Sequence, residues 1–134
     1  MISFDDFKKL EIKIGEIKAA ERVPETDKLL RLTVDFGLKQ SSGAVEPEQK
    51  GGTSPVGAVQ PLGRDVRQII SGIALYFPDP TALIGKKCAF AANLEPRVIK
   101  DLESQGMILA VGGGAEPFSL LEVRSEVKAG AIVK

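Results

Sequence analysis

The stretch Glu11-Ile12-Lys13-Ile14-Gly15-Glu16-Ile17-Lys18-Ala19-Ala20-Glu21-Arg22 carries the reading of the fold. Ile12 and Ile14 alternate with charged residues, the period of a half-buried strand. After Gly15 the apolar parity flips, and Ile17 and Ala19 take over. A one-residue phase change at a glycine is the mark of a β-bulge. Small closed barrels bend a long first strand at such a point, so the stretch predicts a barrel.

The flanks agree. Ser3 is placed to cap a short helix carrying Asp5 and Asp6 in its first turn, with Phe4 and Phe7 on one face to pack it onto the body. Val23-Pro24-Glu25-Thr26-Asp27 is a turn. Leu30, Leu32 and Val34 alternate with Arg31 and Thr33 in a second strand, and Val66 to Ile73 reads as a third. Between them, Gly37 to Arg64 is rich in Gly, Ser and Pro without a sustained apolar period, and reads as a flexible insertion over about 38–64. Thr81–Ile84 suits one helical turn. Cys88, Phe90, Ala92 and Leu94 alternate as a fourth strand, and Met107 to Val111 is a fifth. Gly112-Gly113-Gly114 is not followed by a helix, so it reads as a hairpin turn rather than a phosphate cradle. Gly130 to Val133 reads as a short edge strand or extended cover. The expected fold is all-β: a single domain, 1–134, built as a five-stranded oligonucleotide/oligosaccharide-binding (OB-fold) barrel with a short N-terminal helix and extra C-terminal strands.

Composition narrows the function. Eighteen basic and eighteen acidic residues cancel, so affinity for a polyanion has to come from a local patch. There is no histidine and one cysteine, Cys88, in an apolar run. No intrachain disulfide or Cys/His metal cluster can form, and the thiol has no base to activate it. No catalytic residue, metal or cofactor is expected. Without a membrane-length apolar run or a signal-peptide layout, a cytoplasmic protein with no membrane partner is expected.

The remaining polar interest lies in Asn93-Leu94-Glu95-Pro96-Arg97-Val98-Ile99-Lys100-Asp101-Leu102-Glu103-Ser104-Gln105-Gly106-Met107, a segment held at both ends by strands. Its Asn-Leu-x-Pro-Arg and Glu-Ser-Gln-Gly-Met parts resemble the tRNA-binding domain at the C-terminus of bacterial methionyl-tRNA synthetases, which also occurs free-standing and in endothelial-monocyte-activating-polypeptide-like proteins. Ser3-Phe4-Asp5-Asp6-Phe7 with Ile14-Gly15-Glu16-Ile17, Asp27-Lys28-Leu29-Leu30, and Arg67-Gln68-Ile69-Ile70-Ser71-Gly72-Ile73 extend the resemblance in order over nearly the whole chain except the insertion.

The resemblance implies an RNA-binding site that includes Lys28, Arg67, Asn93, Arg97, Ser104 and Met107. Arg31 and Lys100 join them as neighbouring cations. The cations are expected on phosphates, Asn93 and Ser104 on a base or a 2′-hydroxyl, and Met107 under a base. Asn93 and Ser104 serve equally well as turn and backbone-capping residues, and Met107 as core, so both readings stand at this level. Glu95, Asp101 and Glu103 outnumber Arg97 and Lys100, which implies weak, salt-sensitive binding to tRNA shape. The implied partners are tRNA, the catalytic body of a methionyl-tRNA synthetase and a second copy of the chain. A chaperone-like, peptide-binding homodimer of the same family is the alternative.

Overall fold

The computed structural model describes residues 1–38 and 63–134; the expected insertion lies, apart from its flanks, outside the described residues. Helix α1 (Phe4–Lys8) is followed by strands β1 (Ile12–Arg22), β2 (Leu30–Leu38), β3 (Arg64–Ser71), β4 (Lys87–Ala91), β5 (Arg97–Ile99), β6 (Leu102–Ser104), β7 (Met107–Ile108), β8 (Ala110–Gly113) and β9 (Glu116–Leu120). Five of them form one antiparallel sheet in the order β3-β2-β1-β4-β7, curled into the expected barrel; β5–β6 and β8–β9 are separate hairpins. Two 3-10 turns, Ala74–Tyr76 and Pro80–Leu83, plug the barrel between β3 and β4.

Strand β1 serves two halves of the barrel. Ile12–Glu16 pairs with β4, and Glu16–Arg22 with β2. The phase change between Ile14 and Ile17 is present, but the register shift falls between Ile17 and Ala19, three residues beyond Gly15. Gly15 serves close packing instead. A Cβ there would stand 2.5 Å from Val34 Cγ1 and 2.9 Å from Phe36 Cε1. The strand therefore crosses the core at its glycine and releases its twist at Lys18.

Inside lie Ile17, Leu30, Leu32, Val34, Ile69, Leu83, Cys88 and Phe90, all fully buried, with Phe36 edge-on to Phe90 at 5.3 Å. Each such side chain contributes about 1.5–3 kcal/mol of burial. Burial first, and then the charge of Glu122, push the Cys88 thiol up to about 11, so it stays protonated and unreactive. Asp35 is the buried carboxylate, 3% exposed where β2 and β3 shift register. It accepts from Gly37 N at 2.8 Å and from Arg64 Nε at 2.7 Å. Burial alone would raise its pKa; the Arg64 and Gly37 hydrogen bonds, with the charges of Arg64 and Lys18, outweigh that and hold it below the ordinary 3.8.

The final segment is the extended cover foreseen. Ile14 N donates to Ala131 O at 2.9 Å, Gly130 N to Ile14 O at 2.6 Å and Val133 N to Ile12 O at 2.8 Å, sealing the β1 edge that β2 leaves open. Two expectations change. Ser3 does cap α1, accepting from Asp6 N at 3.1 Å, but Phe4 stays 69% exposed and stacks on Phe7 instead of entering the core. A five-residue helix has no room for a buried stripe. The fifth strand breaks at Leu109, whose N–H bonds Ala89 O while Leu121 N–H bonds its carbonyl. Ala110 onward then leaves the barrel as the β8–β9 hairpin, the hairpin expected here, which turns at Gly114 and Ala115 with Gly112 and Gly113 inside β8. No helix among the described residues is long and apolar enough to cross a membrane.

Candidate nucleic-acid interface

The segment after β4 folds into a hairpin of its own. Arg97 pairs with Ser104, Val98 with Glu103 and Ile99 with Leu102. Lys100 and Asp101 make the two-residue turn, with φ of 52° and 65°. Two left-handed residues in succession are the geometry whose twist matches that of antiparallel strands. A Lys-Asp pair is a weak signal for it, and this is why the sequence shows a held segment but not a hairpin.

Three of the sequence-predicted site residues fasten this hairpin to the barrel. Arg67 Nη1 donates to Ala92 O at 2.5 Å and to Gln105 O at 3.4 Å, the two ends of the segment. Its Nε and Nη2 are held by the Asp65 carboxylate, both at 3.0 Å, and the guanidinium lies 4.9 Å over the Phe36 ring. Ser104 is 4% exposed; its hydroxyl accepts from Ile70 N and donates to Gly106 O, both at 3.0 Å. Asn93 Oδ1 accepts from Glu11 N at 2.7 Å and Nδ2 donates to Lys9 O at 2.6 Å, fixing the chain between α1 and β1. These bonds favour a structural role for Arg67 and Ser104 beside the expected phosphate and base contacts. A guanidinium neutralised by its own carboxylate, and a hydroxyl closed off from solvent, are committed within the protein. For Asn93 both polar atoms already serve the backbone, which favours its capping reading.

Two glutamines complete the fastening and were not singled out in the sequence. Gln105 N donates to Gln68 O at 2.8 Å, Gln68 N to Gln105 Oε1 at 3.0 Å, and Gln68 Nε2 to Glu103 O at 2.9 Å. These bonds close the barrel between β3 and the hairpin. Gly106 lets the chain turn in beside β4, since a Cβ there would come within 3.1 Å of Ala91 O at a φ of 151°. Polar residues at a strand edge give no periodic signal, so only geometry finds them.

Arg97 and Lys100 are exposed and make no ion pair among the described residues. Met107, opposite Ala91 on β4, is 47% exposed and so is not core. The structure thus brings Arg67, Asn93, Arg97, Ser104 and Met107 into one connected patch, with Lys100 at its tip. Lys28 and Arg31 lie across β3 from it. Arg31 is paired with Ile70 in the sheet and its guanidinium is bound by Glu21, Nε to Oε2 at 3.1 Å; Lys28 is exposed in the turn before β2. No group of three or more His, Cys, Asp or Glu able to hold a metal occurs among the described residues.

Comparison with known proteins gives the family and the fold. Residues 57–132 match the family described as "Putative tRNA binding domain". Over 133 residues the chain is 35% identical to a methionine–tRNA ligase of Chloroherpeton thalassium and 38% identical to one of Porphyromonas gingivalis. It spans only 15% and 16% of their lengths. Among solved structures, a MetRS-related protein from Pyrococcus horikoshii superposes with a TM-score of 0.75 at 32% identity, covering 100% of this chain and 98% of that one. The chaperone CsaA of Bacillus anthracis shares the fold, with a TM-score of 0.70 at 24% identity over 100% and 99% of the two chains.

Proposed function

Since the chain belongs to the tRNA-binding domain family and is related to domains carried by methionine–tRNA ligases, we propose that it is a non-catalytic module that binds tRNA weakly and by shape. The observation that supports this reading is the hairpin β5–β6. Arg67, Ser104, Gln68 and Gln105 make it rigid; it exposes Arg97, Val98 and Lys100, and Met107 of β7, just after it in the chain, is exposed too. A prefixed finger loses little entropy when it meets RNA. The two cations engage phosphates and Met107 offers an apolar, polarisable surface, while Glu95, Asp101 and Glu103 keep the affinity low. Dissociation constants in the region of about 10⁻⁴–10⁻⁶ M at physiological salt follow for binding of this kind. An auxiliary site of that strength acts by tethering, raising the concentration of tRNA at the catalytic body of a synthetase. The apolar surface of Phe4, Leu10, Ile132 and Val133 is where a second copy would pair, giving a particle of twice the 14.3 kDa chain mass.

Filter binding of bulk tRNA tests the proposal. Retention falls steeply between about 50 and 200 mM salt. Arg97→Gln raises Kd several-fold and lowers the log–log salt slope by roughly 1. Equal retention and slope for both proteins would overturn the assignment of Arg97. Binding that survives salt and is lost with Met107→Ser would instead favour the peptide-binding reading.

A further inference from the structure

The hairpin has no ring to place under a base: no aromatic residue stands between Asn93 and Met107. One aromatic side chain elsewhere is both exposed and rigidly held. Tyr76 ends the 3-10 turn that follows β3 and is 41% exposed. Its ring lies parallel to Phe118, at 4° with centroids 4.0 Å apart, and Phe118 is backed edge-on by Phe77 at 6.0 Å. The Tyr76 hydroxyl accepts from Gly114 N at 3.3 Å. One face of the ring is therefore covered and its polar end tied down, and its exposure lies away from Phe118.

Two basic residues are tied to the loop that carries it, Lys28 through its backbone and Arg22 through its side chain. The turn is bonded to the backbone of Lys28, Ala74 N donating to Lys28 O at 2.9 Å. Just beyond it, Arg22 Nη2 donates to Pro78 O at 3.4 Å. Lys28 is one of the two site residues, with Arg31, that the geometry leaves apart from the hairpin, and here it acquires a context.

We propose that Tyr76 is a stacking platform for an unpaired base of the bound RNA, with Lys28 and Arg22 on the adjoining phosphates. This second contact surface lies across β3 from the hairpin, and it rests on the RNA-binding reading above. A flat ring held on one side presents its other side without loss of side-chain freedom, and stacking accepts any base because every base has a π-face. Glu25 and Asp27 lie between Arg22 and Lys28 along the turn, so the turn carries no net charge and stacking, not steering, is its contribution.

Tyr76 is the only tyrosine and the chain has no tryptophan, so its emission reports on this site alone. Titrating the full chain with short oligoadenylate is expected to quench that emission saturably. By anisotropy of a labelled oligoadenylate, Tyr76→Ala binds roughly tenfold more weakly and Tyr76→Phe about as well as the parent. The ordered Phe variant separates loss of stacking from loss of fold. Unchanged emission in the presence of saturating tRNA, with tRNA still retained on filters, overturns the platform and leaves the tRNA-binding reading intact. Quenching with Tyr76→Ala binding at full strength also overturns it. Retention of neither tRNA nor oligoadenylate overturns both.

Discussion

Replacing Ser104 by Ala separates a residue that holds the fold from one that holds RNA. The Ser104 hydroxyl is 4% exposed and serves Ile70 N and Gly106 O at 3.0 Å each. Alanine keeps the backbone of β6 but orphans the Ile70 N–H on a residue only 5% exposed. An unpaired buried donor costs about 1–3 kcal/mol, and the lost bond to Gly106 about 1 more. A destabilisation of roughly 2–4 kcal/mol follows. With a urea slope of about 2 kcal/mol per molar, the unfolding midpoint falls by roughly 1–2 M. On heating, the midpoint falls by roughly 6–16 °C for a chain of this length. Circular dichroism against urea measures the first quantity, and filter binding of tRNA well below the midpoint measures affinity. A hydroxyl that touched RNA would give the opposite pattern, with the midpoint unmoved and affinity lowered. An unmoved midpoint would refute the account of Ser104 as a fastening residue.

Two further outcomes follow from the core. Gly15→Ala forces a methyl against Val34 Cγ1 at 2.5 Å and Phe36 Cε1 at 2.9 Å, and should destabilise by about 1–3 kcal/mol in urea melts without altering the salt slope of tRNA binding. Asp35 has a pKa lower folded than unfolded, so its contribution is present above the unfolded value near 3.8 and is lost as pH falls through the lower folded value. Urea midpoints should therefore drop from about pH 5 downward, and Asp35→Asn should remove that part of the pH dependence while lowering stability at neutral pH.

The barrel was largely legible because Leu30, Leu32 and Val34 alternate with less buried neighbours as a half-buried strand must, and because β4, buried on both faces from Cys88 to Ala91, is there an unbroken apolar run. The β1 phase change was legible for the same reason, but its mechanical cause was not. A glycine at a bend and a glycine under a packed ring look identical in a sequence, and only the position of Phe36 distinguishes them. The candidate site was legible as a place and less so as a set of roles. Arg67, Asn93 and Ser104 stand in the segment or against it as foreseen, yet each is engaged by a backbone carbonyl or amide distant in sequence, and Arg67 also by Asp65 two residues away. The chemistry of a polar side chain says what it can bond, and long-range topology decides which partner reaches it first. Phe4 illustrates the converse: apolar spacing on a short helix suggested burial, but the ring meets Phe7 and the Lys8 ammonium of its own helix and stays 69% exposed.

The double duty of β1 has a consequence for synthesis on the ribosome. Its second half meets β2 as soon as Leu38 has emerged, but Ile12 and Ile14 are completed only by Ala131 and Val133. About 95 residues separate Leu38 from Val133, which at roughly 5–20 residues per second is a delay of about 5–20 s. Throughout that interval a nascent chain displays an unzipped β-edge bearing two isoleucines, the kind of surface that neighbouring nascent chains adhere to. Slowing elongation over the last third of the message should therefore lower the soluble yield more than slowing it over the first.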